Sequence, residues 1–227
     1  MGPRGPGRSG GFFNDHQRRT VEAAMACIIP ADDHPGAREA GTVDFVDRYL
    51  SGIDHVYAKP DGSGFEQLVG KQADAWRQRI AAVGDTYASG IKDLDRRARD
   101  GHGSLFADLT DAQQDAVLTA LERSIGSTGQ RLEEAQATAA WSPVEPAMQQ
   151  TSAEIDLDFF PLLALHTRQG FYSDPIYGGN RDRVGWKLIG FEGPASLADT
   201  HAGRYTTRPF FAETQSEWGK EPDREEE

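Results

Sequence analysis

The residues best suited to metal binding or proton transfer in this sequence are its histidines. They are His16, His34, His55, His102, His166 and His201. No two lie four residues apart with a glutamate between them, so the helical spacing of a zinc protease site is absent. His166 shares an apolar helical face with Leu162 and Leu163, which predicts a core or interface histidine with a satisfied ring nitrogen. The Asp32-Asp33-His34 sequence follows a proline-stopped helix and predicts turn chemistry rather than a cation site.

Motifs for nucleophilic or nucleotide chemistry are missing or weak. The amino-terminal GPRGPG follows no strand, and neither a phosphate-binding G-x-x-x-x-G-K-[ST] loop nor a G-x-S-x-G elbow occurs. Ser173-Asp174-Pro175 has the form of a turn opener, and no base is positioned beside it. Gly178-Gly179-Asn180 predicts a tight turn with left-handed backbone, and Arg181-Asp182-Arg183 predicts charge pairs at its edge. We therefore predict no catalytic, cofactor-binding or metal-binding residues in this chain.

Composition narrows the class of protein. The chain has 227 residues, of which 37% are hydrophobic and 26% charged, and this composition suits one soluble domain. A formal net charge of −12 disfavours a partner that is recognised through phosphates, such as nucleic acid. The single cysteine, Cys27, excludes an internal disulfide and a cysteine-based zinc site. No apolar run approaches the roughly 20 residues that a membrane span needs.

The remaining pattern is helical, and we predict a mainly α fold: a small irregular helical domain with a long glycine- and aromatic-rich loop segment. Asn14 and Gln17 form a capping box ahead of a first helix that Pro30 ends. A second helix follows Val43, Val46 and Leu50, with Phe45 and Tyr49 beside that face. A long third runs from Phe65 to Tyr87 with Gly84 near its weak end, and a fourth opens at Thr110 with Gln113.

A fifth predicted helix carries Phe159 and His166 and ends toward Gly170, a plausible glycine cap. Pro161 leaves two possibilities: Asp158 caps a helix whose first turn contains the proline, or a longer helix is kinked there. The only strand candidate is the short WKLIGF sequence at 186–191. We expect a disordered segment at 1–11, one helical domain at 12–212 and an acidic tail at 213–227.

Glycines and aromatics concentrate in residues 170–194, GFYSDPIYGGNRDRVGWKLIGFEGP. Glycine permits positive φ or close backbone approach, and aromatics bury surface, so this block specifies a shape. Its large rings have the composition of interface anchors, but they could equally fold back over the chain's own helices. The residues we predict to form this partner interface or structural motif are His166, Gly170, Phe171, Tyr172, Asp174, Pro175, Tyr177, Gly178, Gly179, Asn180, Trp186 and Gly190.

The block HTRQGFYSDPIYGGNRDRVGWKLIGFEGP, with Phe159-Phe160 ahead of it, resembles the gluconate 2-dehydrogenase subunit 3 family. That family carries H-T-x-x-G-[FY]-[FY]-S-D-P-x-Y-G-G-N followed by G-W-x-x-x-G-[FY]-x-G-P. Phe12-Phe13 and the stretch from Ile28 through Gly41 also match its amino-terminal half. The resemblance spans most of residues 12 to 194.

The resemblance implies a non-catalytic small subunit of a sugar or polyol dehydrogenase. Family members bind a large flavoprotein of the glucose-methanol-choline (GMC) type, which carries FAD and the catalytic histidine. A cytochrome subunit is often the electron acceptor. The small subunit supports the folding of the flavoprotein and in many members brings it through the twin-arginine export pathway. The resemblance leaves open the partner's substrate, the acceptor and the stoichiometry.

This sequence departs from the family in two respects. No convincing export signal is present, because Arg18-Arg19 is followed by a stretch that contains Glu22 and has an amphipathic pattern. We therefore expect a cytoplasmic complex, with periplasmic location by another route as the alternative. Pro161 stands within the helix ahead of the motif, so the family's helix geometry is not assumed there. The competing hypotheses are an assembly or export chaperone that dissociates, and a stand-alone hydrolase using His166, Asp174 and a tyrosine.

Overall fold

The structure, a computed structural model, describes residues 11–59, 63–125 and 154–193. Six α-helices lie in these ranges: α1 Asp15–Ile28, α2 Thr42–Leu50, α3 Gly70–His102, α4 Asp111–Ile125, α5 Phe159–Tyr172 and α6 Val184–Leu188. Short 3-10 turns occur at Ile53–His55, Phe106–Asp108, Pro175–Tyr177 and Arg181–Arg183. The mainly α prediction is confirmed. The predicted end segments, 1–11 and 213–227, lie outside the described residues except for Gly11.

The predicted helix starts at Asn14 and Thr110 are confirmed. The side chain of Asn14 accepts a hydrogen bond from the backbone amide of Gln17, and the side chain of Gln17 accepts one from the backbone amide of Asn14, which completes the capping box of α1. Ahead of α4, the side chain of Gln113 accepts bonds from both the backbone and the hydroxyl of Thr110. These bonds satisfy amide groups that have no partner within a helix.

The prediction for α3 is wrong at both ends. Phe65 lies before the helix and pairs with Ala58 in an isolated antiparallel bridge, and α3 begins only at Gly70. At the other end the helix continues past Gly84 to His102. Gly84 and Gly90 do not weaken it, because the space beside them is occupied by the rings of Phe12 and Phe159. Packing against neighbouring rings outweighs the low helix propensity of glycine here.

Of the two arrangements predicted for Pro161, the structure shows a helix whose first turn contains the proline and not a kinked longer helix. Asp158 is the N-cap residue, and Pro161 lies in the first turn, where its missing N–H would have had no helical partner. The expected glycine cap at Gly170 is wrong, since α5 continues to Tyr172. Gly170 is instead a contact point with α2: a methyl group there would press against Thr42 and Phe45.

One hydrophobic core joins α1 to α5. Its largest fully buried side chains include Tyr87 of α3, Phe106, and Phe171 of α5. The strand predicted at WKLIGF is wrong: the chain forms α6 and then turns at Gly190, whose φ is +69°. Trp186 is buried from within this short helix. Among the described residues, no helix combines the length and apolarity that crossing a membrane would require.

Two glycines of α3 give a matched test of this packing. Gly90→Ala would push a methyl group into the Phe159 ring, whereas Gly101 has no neighbour within 4 Å of such a group. We expect Gly90→Ala to lower the free energy of unfolding by roughly 1–3 kcal/mol through overpacking. Gly101→Ala should raise it by about 0.4–1 kcal/mol because it restricts the unfolded chain. Urea unfolding of the full chain measures both, and equal effects would contradict the packing described.

Candidate functional site

We call residues 173–193 the clasp, because this segment turns back over the end of α5. It opens with the predicted turn: the side chain of Asp174 accepts a hydrogen bond of 3.0 Å from the backbone of Ile176, and Pro175 begins a 3-10 turn. Gly178 and Asn180 then adopt left-handed backbone, with φ of 111° and 48°. The turn chemistry predicted for Ser-Asp-Pro and Gly-Gly-Asn is therefore confirmed.

The side chain of Asn180 is the centre of the clasp. It is fully buried; its Nδ2 donates to the carbonyl of Ser173 at 2.8 Å, and its Oδ1 accepts from the amide of Gly185 at 2.9 Å. Trp186 donates from Nε1 to the carbonyl of Tyr172 at 2.7 Å. The last carbonyls of a helix have no partner inside it, so these two side chains complete the end of α5.

The clasp glycines allow backbone to lie directly on backbone. A methyl group at Gly179 would overlap the carbonyl oxygen of Gly170, and one at Gly185 would overlap that of Phe171. Gly190 differs, because nothing lies near it and its requirement is the positive φ alone. Two kinds of glycine thus fix the path of the segment.

Charged groups fasten the clasp to α2. Arg181 binds Asp44 at 2.9 Å, which confirms a charge pair at the edge of the turn. The backbone amide of Arg181 donates to Ala40, and Arg48 donates to the carbonyl of Ile176 at 2.6 Å. The clasp therefore joins the carboxyl end of α5 to one face of α2.

The large rings of the block divide between two environments. Phe171 is fully buried, and Trp186 is buried against Phe191 and Gly193, so these rings serve the subunit's own fold. Tyr172 remains 39% exposed. Tyr177 is half-buried and meets the ring of Phe65 edge to face. Phe171 and Trp186 therefore pack within the chain's own fold. A role in partner binding stays a prediction for Tyr172 and Tyr177.

His166 is a core histidine, as predicted, with 1% of its surface exposed. Its Nε2 lies 2.7 Å from a carboxylate oxygen of Glu154, and its Nδ1 lies 2.9 Å from the hydroxyl of Tyr87. An ionised carboxylate only accepts, so Nε2 carries a proton. Both ring nitrogens are engaged within the core. Asp174 bonds elsewhere, to Ile176, so these contacts do not assemble the hydrolase trio of the sequence analysis.

Glu154 links this histidine to a second group of polar side chains. Its other oxygen binds Arg79 and accepts from the hydroxyl of Tyr49 at 3.4 Å. Burial by itself raises the pKa of Glu154, but the hydrogen bonds and charges of His166 and Arg79 outweigh it and hold that pKa below its ordinary value. Burial, followed by the charge of Glu154, raises the pKa of Tyr87 and Tyr49. Neither Arg79 nor Glu154 was predicted from the sequence.

The outer side of this polar group borders an aromatic recess of about 680 Å³. It lies between α2, the amino-terminal part of α3, the end of α5 and the clasp. Its lining residues are Phe45, Tyr49, His55, Val56, Tyr57, Trp76, Arg79, Glu154, Gln169, Tyr172, Ser173 and Tyr177. Four separate stretches of sequence contribute to it, so no local sequence motif predicts the recess.

The predicted turn at Asp32 is confirmed, since its side chain accepts a 2.8 Å bond from the amide of His34. Both residues are exposed. Across the part of the chain that the structure describes, no group of three or more His, Cys, Asp or Glu side chains could hold a metal ion.

Asn180 gives the sharpest test of the clasp. Asn180→Ala leaves the Ser173 carbonyl and the Gly185 amide without their partner in a buried place. An unsatisfied buried group costs about 1–3 kcal/mol, so we expect a loss of roughly 2–4 kcal/mol in the free energy of unfolding. Asn14→Ala, which removes an exposed helix cap, should cost only about 1 kcal/mol. Chemical denaturation distinguishes them, and equal losses would contradict the central place of Asn180.

The lowered pKa of Glu154 predicts a pH dependence. A carboxyl whose pKa is lower in the folded state stabilises the fold above its unfolded pKa of about 4.3, and this contribution is lost as pH falls through the folded value. Breaking the buried pair with Glu154→Gln should cost about 3 kcal/mol at pH 7, and the difference from wild type should narrow below about pH 4. Glu122→Gln, at an exposed position on α4, is the control. A difference that does not change with pH would contradict this account.

Comparison with known proteins identifies the family of the chain. No curated protein and no solved structure matches the chain significantly. The family model described as gluconate 2-dehydrogenase subunit 3 matches residues 15–193, from the first residue of α1 to the last described residue of the clasp. This match covers most of the chain and all five helices of the core. The chain belongs to the gluconate 2-dehydrogenase subunit 3 family.

Proposed function

We propose that this chain is a non-catalytic accessory subunit that binds, stabilises and helps to mature an FAD-dependent oxidoreductase of the GMC type. The partner acts on sugars, sugar acids or glycosides and holds the flavin. Membership of a dehydrogenase subunit family is the observation that carries the proposal. The electron acceptor is a cytochrome or another acceptor outside this chain.

The contacts of the residues in the predicted structural motif support a structural role. The polar side chains that could serve a reaction are used within the fold: Asn180 and Asp174 bond to backbone, and His166 is enclosed by Tyr87 and Glu154. A catalytic base must come within hydrogen-bond reach of its substrate, and a ring that is 1% exposed offers no such access.

We further propose that the complex is cytoplasmic. Arg18 and Arg19 form the only adjacent arginine pair of the first helix, and both belong to the folded subunit. Arg18 binds Asp44 of α2, and Arg19 lies 3.4 Å from Asp108. These contacts place both arginines in a folded helix, which supports the proposal.

Purification of the tagged full chain from its host tests the proposal. We expect a flavoprotein with FAD absorbance to co-purify, sugar or polyol oxidation by the complex, and no turnover by the isolated chain. Dehydrogenase activity should elute with this chain in size exclusion. An active peak without the chain would favour a dissociating chaperone, and turnover by the chain alone would favour an independent enzyme. Either outcome would contradict a permanent accessory subunit.

A further inference from the structure

The aromatic recess has the shape of a receptor for an inserted side chain. Its volume of about 680 Å³ exceeds what a few water molecules fill, and rings from α2, α3 and α5 form its walls. At the rim, Tyr57 is 37% and Tyr172 is 39% exposed. Interface anchors in known complexes are large side chains that enter such pockets and exclude water.

The charges at the recess are already paired. Arg79 and Glu154 form an ion pair, and the guanidinium of Arg79 also lies 4.9 Å from the ring centroid of Trp76. The position that a cation would take over this ring is therefore occupied by the protein's own arginine. Burial, followed by the charge of Arg48, lowers the pKa of His55 and disfavours its charged form. Charge complementarity thus selects an uncharged occupant.

An exposed apolar ridge lies near the recess. Leu188, Ile189 and Phe191 are 42%, 59% and 43% exposed. The ridge connects to the rim through Trp186, whose ring packs on Phe191 and whose Nε1 bonds to the carbonyl of Tyr172. The ridge therefore lies near the rim of the recess, and the two together form one candidate surface, because exposed apolar side chains of this kind mark protein interaction sites.

We propose that this surface docks the dehydrogenase partner, and that the recess receives an uncharged aromatic or aliphatic side chain of that partner. The inference rests on the proposed function, which supplies the identity of the partner. The paired charges favour an uncharged occupant, and the ridge nearby favours a protein surface over a small molecule. The ridge then lies against the partner beside the inserted side chain.

A space-filling variant tests the recess directly. Gln169 is exposed and lines the recess, whereas its neighbour Arg168 is exposed on the same helix and does not. Gln169→Trp should place an indole ring in the recess and obstruct part of it, and Arg168→Trp is the matched control. Each variant is co-expressed with differently tagged wild-type chain and the dehydrogenase subunit. We expect the Gln169→Trp share of the purified complex, normalised to its soluble level, to fall at least about tenfold, as for an interface hot spot.

Photo-crosslinking provides a second readout that does not depend on a filled recess. A benzoylphenylalanine residue at Tyr57 or Tyr172 should crosslink to the dehydrogenase subunit in the intact complex. The same residue at exposed Ala116 on α4, which contributes nothing to the recess, is the control. Mass spectrometry of the crosslinked peptide should identify an aromatic or aliphatic side chain.

The outcomes distinguish a failure of the proposed function from a failure of the docking inference. If wild-type chain co-purifies with no flavoprotein, the proposed function fails. If the complex forms but Gln169→Trp competes as well as Arg168→Trp, and neither rim position crosslinks, the docking inference alone is overturned. Crosslinks to a second copy of this chain, or a crosslinked peptide with a charged anchor, would also overturn it.

Discussion

The buried amide of Asn180 is the interaction on which the rest of the structure depends. It bonds at the same time to the carbonyl that follows α5 and to the amide of Gly185 in α6. Through that one side chain, the end of a core helix and the start of a surface helix hold a fixed geometry. Trp186 can then reach the carbonyl of Tyr172, and the exposed ridge that follows it is presented in one orientation. A buried polar group of this kind contributes specificity because leaving either partner unsatisfied is costly.

Two layers of polar bonding surround the aromatic recess and explain how it stays open. On the inner side, His166, Glu154 and Arg79 connect α5 to α3 across the core. On the outer side, Arg181 and Arg48 hold the clasp to α2. These bonds connect the elements that form the walls of the recess. Preformed surfaces avoid the entropy cost of ordering side chains on binding.

The sequence was informative wherever a structure depends on neighbouring residues. The capping box at Asn14, the Asp174 turn and the left-handed backbone at Asn180 were all predicted, because each is decided within a few positions. The boundaries of α3 and α5 were not. Gly84 and Gly170 look like helix ends in sequence, but in the fold they are contact points for Phe12 and for α2.

The recess and its charge pair could not be predicted from the sequence, because both depend on contacts between residues that are far apart in the chain. Arg79 and Glu154 are separated by 75 residues, and their pairing depends on how α3 and the start of the last described segment pack. The core position of His166 was predicted from its apolar face, whereas its bonds to Tyr87 and Glu154 depend on long-range contacts. Residues that share a local pattern were predictable, and residues brought together by tertiary packing were not.

Native mass spectrometry of the enzymatically active fraction tests the central claim most directly. A permanent accessory subunit predicts one assembly whose mass equals this chain, a flavoprotein and one FAD per flavoprotein, with the flavin remaining on the larger chain after dissociation in the gas phase. An active assembly that lacks this chain, or FAD retained by this chain, would contradict the account.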